Sequence, residues 1–206
     1  MTTNRKFTIM KNNPKNCIQL DPSRKIKIKL DNEERVLYVN KYFEEVTGFK
    51  ISEIILQKIE AILLDDMSAV AKLILNKLSN EDKNYIALIG KSKIYDCYWG
   101  LTRINQIVNN DNIITGVLLE IKMLPSIAIE QLTELFFILK EINNNAGPEA
   151  TVKYFEGYLE DKNLTFEDYI LNLLETDEKK LDKYFEIDAD EQKHNTKKSG
   201  WLGLLS

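Results

Sequence analysis

The chain has a single histidine, His194, and only two cysteines, Cys17 and Cys97, in 206 residues. One imidazole in a polar stretch supports neither a histidine-activated nucleophile nor a multi-histidine metal site, and it removes the usual general base near neutrality. The cysteines have no CxxC spacing, so neither a zinc site nor a disulfide framework is expected, and each is read as a reduced thiol that packs. The eight glycines are scattered and match neither GxGxxG nor GxxxxGK, which removes the common phosphate-cradling loops. No stretch approaches the roughly 18 uninterrupted apolar residues of a membrane span, and the opening MTTNRKFTIMKNNPKN has no apolar run of signal-peptide length. The expected location is the cytoplasm. Charge of one sign is also lacking: 28 basic against 32 acidic residues give no electrostatic footprint for nucleic acid.

What is present is 44% hydrophobic residues, enough to bury a core for one domain with an appendage. The stretch RVLYVNKYFEEVTGFKIS, 35–52, changes its apolar period from two to about 3.6 at Asn40, a strand running into a short helix. Asparagine is a preferred N-cap, and Gly48 supplies the left-handed residue that ends many helices. Before it, KIKIKL at 25–30 alternates as a strand with one wet face, so 25–39 reads as a hairpin closed by the polar turn 31–34. Residues 1–22, with Pro14 and Pro22, read as an arm with a short apolar contact at 17–20. After Gly48, Ser52 with Glu53 starts a short helical turn, and an apolar stretch follows at 54–64. Asp65 or Asp66 caps a helix at 67–78. That acidic pair is the one tempting catalytic or metal feature, and a helix-start cap is the favoured account of it. Three strands come next, at 85–90, 95–107 and 113–123, joined by short polar turns as an antiparallel meander. Helices follow at 126–143, 148–161, 165–174 and 177–186, then a charged linker and the apolar tip GWLGLLS.

Two strands, several helices and three strands make an α+β layout with one sheet and helices on one side. A pocket commonly lies between such layers, and Tyr38, Phe43, Phe49, Tyr85, Cys97, Trp99 and Leu101 are the candidate lining, with plain core as the alternative role. Helix 126–143 is apolar nearly all round at LFFIL. Leu135, Phe136 and Phe137 therefore form either a dimerisation surface or a contact within the chain. The tip residues Trp201, Leu202, Leu204 and Leu205 are expected to dock on a signalling partner or on the protein's own surface.

Tyr38-Val39-Asn40, Phe43, Thr47-Gly48-Phe49 and Ser52-Glu53, set between the strands described, resemble the corner of a PAS sensory domain. The resemblance covers residues 20–124 and is closest to the small PAS domains of aerotaxis transducers, through Asp66-Met67 and Asp96-Cys97-Tyr98-Trp99. It implies a PAS fold, a five-stranded antiparallel sheet with short helices on one side, at 23–124. The arm 1–22, a helical appendage at 125–187 and a charged tail with an apolar tip at 188–206 would complete the chain. It also implies a non-enzymatic sensor that couples a small ligand or redox cofactor to a partner through the C-terminal helices. Relatives of this type bind FAD, and Tyr38, Asn40, Phe43, Phe49, Tyr85, Cys97 and Trp99 would then form the cofactor-binding set. Asn84 stands where flavin-binding relatives carry tryptophan, and Ile89-Gly90-Lys91 replaces their Lys-Asn-Arg run. Haem is disfavoured because no histidine precedes residue 194, and photoactive flavin because no cysteine lies between 18 and 96. The alternative is a cofactor-free PAS adaptor or homodimerisation module.

Overall fold

The structure is a computed structural model and describes residues 17–64 and 83–190. The arm before residue 17, the helix expected at 67–78 with Asp65 and Asp66, and the tail carrying His194, Trp201, Leu202, Leu204 and Leu205 lie outside the described residues.

Among the described residues six strands form one sheet: β1 (Cys17–Ile18), β2 (Ile26–Asp31), β3 (Val36–Val39), β4 (Lys83–Lys91), β5 (Cys97–Val108) and β6 (Ile114–Met123). Five of them run antiparallel in the spatial order β3-β2-β6-β5-β4, the five-stranded antiparallel sheet expected of a PAS fold. The sixth, β1, was expected only as an apolar contact. It pairs in parallel with Cys97 and Tyr98 of β5, just beyond the point where Met123 ends the β6 ladder at Gly100.

The corner after β3 forms as its residues dictate. Asn40 caps α1 (Lys41–Thr47): its Oδ1 accepts from Phe43 N at 3.3 Å and Lys27 N at 3.0 Å, while its Nδ2 donates to Lys25 O at 2.8 Å. One amide thus fixes the helix to the opposite strand of the hairpin. Gly48 ends α1 at φ 72°, and a Cβ there would lie 2.7 Å from the Ile94 side chain. The next helix, α2 (Ile51–Ile54), starts earlier than Ser52, because Glu53 closes back on the Lys50 N–H at 2.9 Å. A 3₁₀ turn at Ile59–Ile62 follows. The connecting segment screens both sheet edges, with Val36 N donating to Gln57 O at 2.9 Å on β3 and Leu64 N donating to Ile89 O at 3.0 Å on β4.

Two cores share the sheet. Ile26, Ile28, Leu30, Leu119, Ile121 and Tyr98 face inward, with Phe43 and Ile54 over them. On the outer face lie Tyr85, Ala87, Ile89, Trp99 and Leu101, covered by α3 (Ser126–Glu160), α4 (Phe166–Leu173) and α5 (Glu178–Glu186). YIALIG is continuously apolar because its alternate residues feed both cores. Within α3, Gly147 at φ 83° separates two helical arms, and Pro148 opens the second, where its missing N–H is harmless.

The cysteine reading needs correction. Cys17 and Cys97 are register partners of β1 and β5, with Cα atoms 4.4 Å apart, and they form a disulfide. A pairing across so many residues leaves no local signal in the sequence.

Replacing Asn40 by alanine removes the cap and leaves backbone groups of the hairpin unpaired. Urea denaturation should show a loss of about 2 kcal/mol; an unchanged midpoint would refute the bracing role.

Candidate functional site

The outer face of the sheet is charged where it meets the C-terminal helices. Strand alternation puts Lys25 and Lys27 before and on β2, Arg103 on β5, and Glu120 and Lys122 on β6 on this one face. Lys25 is 4% exposed, Glu120 6% and Lys122 0%. Buried charges persist only when paired and hydrogen-bonded, and these are. Glu120 Oε1 lies 2.7 Å from Lys25 Nζ. Its Oε2 accepts from Arg103 Nε at 2.9 Å, Arg103 Nη2 at 2.6 Å and Asn105 Nδ2 at 3.1 Å.

From this carboxylate the cluster crosses to α5. Arg103 Nη1 is 3.3 Å from Asp182 Oδ1, which also accepts from Tyr85 OH at 2.7 Å. Lys25 Nζ donates to Phe185 O at 2.8 Å, and Lys122 Nζ donates to Tyr184 O and Ile187 O, each at 2.8 Å. Two sheet lysines therefore cap the closing carbonyls of α5 and meet the negative end of its dipole. Just past the helix, Asp188 pairs with Lys27 at 3.2 Å and Asp190 with Arg24 at 2.9 Å.

Ionisation follows from these contacts. Burial pushes the Glu120 carboxyl up, but the hydrogen bonds from Lys25 and Arg103 outweigh it and hold the group below the usual carboxylate range. Burial, aided by repulsion from Lys25, brings Lys122 down to about 8. Burial and the bond to the Asp182 carboxylate raise Tyr85 above the ordinary phenol value.

The residues nominated for a cofactor do not converge. Phe43 is buried on the inner face and stacks with Phe49 at 6.4 Å. Asn40 is occupied as a cap and hairpin brace. Tyr38 is 49% exposed, outside both cores. Tyr85, Trp99 and Leu101 point to the outer core, and Cys97 is in the disulfide. A single pocket lined by this set is therefore corrected to two groups on opposite faces, because strand alternation sends Tyr85 and Trp99 away from Phe43. Of the two roles open to LFFIL, the contact within the chain is the one that Leu135 and Phe136 take. Leu135 is buried against the sheet, and Phe136 meets Trp99 edge-on at 5.2 Å; Phe137 is half-buried. A groove of about 540 Å³ does open beside β1, along Ile18, Leu20, Pro22, Tyr42, Val46 and Met123, outside the expected sheet–helix space.

Sequence reasoning missed the cluster. KIKIKL read as a strand with solvated lysines, and only Glu120 and Lys122 at the matching positions of a neighbouring strand hinted that a later element covers them. No helix among the described residues is long and apolar enough to cross a membrane.

No family model matches the chain, and no curated protein matches it. A solved PAS domain from Colwellia psychrerythraea is 15% identical, with 48% of this chain and 86% of that one aligned at a TM-score of 0.43. The PAS-B domain of Cycle from Drosophila melanogaster, solved with bound ethylene glycol, is 12% identical over 48% of this chain and 99% of its own, with a TM-score of 0.43. The light-state structure of the blue-light photoreceptor Aureochrome1 LOV is 12% identical over 68% and 100%, also at 0.43. At these identities and scores the similarity assigns neither function nor ligand.

Glu120→Gln leaves the buried Lys25 without its counter-charge and Arg103 with Asp182 alone, and should lower stability by about 3–5 kcal/mol in urea titrations at neutral pH. Because the Glu120 carboxyl is lowered in the folded chain, its contribution is present above its ordinary value of 4.5 and fades as pH falls through the folded value. The gap between the two proteins should close in acid. Lys122 titrates the other way. The unfolded chain holds this proton up to its ordinary 10.5 and the folded chain only to about 8, so stability should rise between these values. Thermal melts across that window test this, and Lys122→Met should flatten the rise; an equal slope in the variant would count against it.

Proposed function

We propose that the chain is a PAS-type signalling module without catalytic activity, in which the sheet and the helices α3–α5 are coupled across the charged outer face and a partner protein reads the helices. The observation that carries this reading is the Glu120 cluster. A helical appendage that served only as a cover needs apolar contacts alone, whereas buried ion pairs select one alignment between two elements. A small movement of β5 or β6 changes which donors meet Glu120 and Asp182, and the pose of α5 follows. The 201–205 segment remains the proposed partner contact, and Ile138, exposed on α3 beside Phe137, the proposed point of homodimer contact.

The cofactor-free form of this reading is favoured by the packing of the inner face. Tyr98 lies so close over Gly90 that a Cβ on the glycine would sit 2.1 Å from the ring, so the ring fills space on the side where a ligand is expected. One observation favours the ligand-bound form, flavin included: the Thr102 hydroxyl is buried on this same face without a hydrogen-bond partner.

Absorbance and native mass of the protein purified from cells separate the two forms. A colourless protein at 23.9 kDa supports the first; flavin colour or added mass that Thr102→Val abolishes would sink it. The coupling is tested by hydrogen exchange on Arg103→Leu. The amides of α5 should lose protection while those of α1 keep theirs, and unchanged exchange in α5 would contradict the proposed relay.

A further inference from the structure

β1 is held to β5 by two residue pairs, Cys17 with Cys97 and Ile18 with Tyr98, and by the disulfide. A parallel ladder this short does not sustain itself. Beyond β1 the chain runs as a strap. Leu20 is buried in the inner core, Asp21 N donates to Tyr42 OH on α1 at 2.7 Å, and Ser23 O accepts from Ala189 N at 2.9 Å. Arg24 then pairs with Asp190 at 2.9 Å and Glu45 at 2.6 Å. One end of the strap is thus fixed covalently to the sheet, and the other holds the residues that follow α5. The two cysteines also differ in exposure, since Cys97 is fully buried and Cys17 partly exposed.

We propose that Cys17 and Cys97 form a reversible thiol–disulfide site, and that its reduction by a low-molecular-weight dithiol releases the strap from the sheet. A thiolate of the dithiol attacks Cys17 Sγ, on the more exposed of the two residues; the Cys17–Cys97 bond breaks as a mixed disulfide forms, and Cys97 leaves as a thiolate that takes up a proton. The second thiol of the reagent then attacks its own sulfur in the mixed disulfide and expels Cys17, which is protonated in turn. The protein gains two electrons and two protons, and the dithiol ends as its cyclic disulfide. Exchange with a low-molecular-weight disulfide reverses the process. Such bonds persist in oxidising compartments and are transient in reducing ones, so the site reports the redox state around it. In the reduced chain β1 keeps only its two-residue ladder. Ile18 and Leu20 then leave the inner core, and the ties at Ala189 and Asp190 slacken. None of this requires the coupling or the cofactor reading above.

The test uses the full chain treated either with glutathione disulfide or with dithiothreitol. Iodoacetamide labelling read by mass should find both cysteines blocked after the first treatment and both alkylated after the second. Hydrogen exchange should then show loss of protection at residues 17–24 and 187–190 on reduction, with β6 and the rest of β5, 99–108, unchanged. Cys17→Ser should show the reduced pattern in either reagent. Free thiols after the oxidising treatment, a bond that resists dithiothreitol in the folded protein, or equal exchange at 17–24 in both forms would each overturn the proposal.

Discussion

Glu120 is the constraint on which the outer half of the molecule depends. It is a buried carboxylate that takes hydrogen bonds from Arg103 and Asn105 and pairs with Lys25. Without it, the sheet would carry like charges under a helical cover, and desolvation would oppose docking of α5. The carboxylate also fixes register. Side chains alternate with period two, so a slip of β2 against β6 by one residue would turn Ile26 and Ile28 outward and drive the lysines into the inner core. The inner core and the ion cluster therefore enforce the same strand alignment from opposite faces.

The same contacts explain why α5 is ordered. It has nine residues, fewer than an isolated helix needs to persist in water. Its stability comes from the sheet: Phe185 packs on Tyr85 at 5.6 Å, the Arg103 guanidinium lies 4.9 Å from the Phe185 ring centroid, and two lysines receive its last carbonyls. A helix that is stable only in contact reports on whatever it touches, which gives the proposed relay its physical basis.

Much of the fold was legible because local chemistry decided it. Asn40 and Gly48 bracket α1 through a cap and a left-handed turn that need no tertiary knowledge. Gly147 and Pro148 break α3 for equally local reasons. The five antiparallel strands were legible as strands, β1 was not, and the faces of all of them were hidden. Periodicity separates Tyr85 from Ile86 and Trp99 from Tyr98, yet with both faces covered it does not say which set looks toward Phe43. Aromatic residues were therefore grouped that the sheet keeps apart. The lysines of KIKIKL misled for the same reason, since a solvated face and a face covered later by a charged helix read alike. The disulfide was invisible because it joins a two-residue strand to a partner far along the chain.

With both faces covered, β5 borders both cores and the strap. Tyr98 and Ile104 enter the inner core, Trp99, Leu101 and Arg103 the outer one, and Cys97 ties the strap. A sheet with one wet face can shift a strand and lose only solvation on that side. Here any displacement of β5 must repack Phe136, Asp182 and Glu120 together, because close-packed interiors switch between discrete arrangements instead of deforming smoothly. In the proposed relay the strand itself would therefore carry the disturbance, and α3 and α5 would respond to it, whether it begins at the inner core or at Cys97.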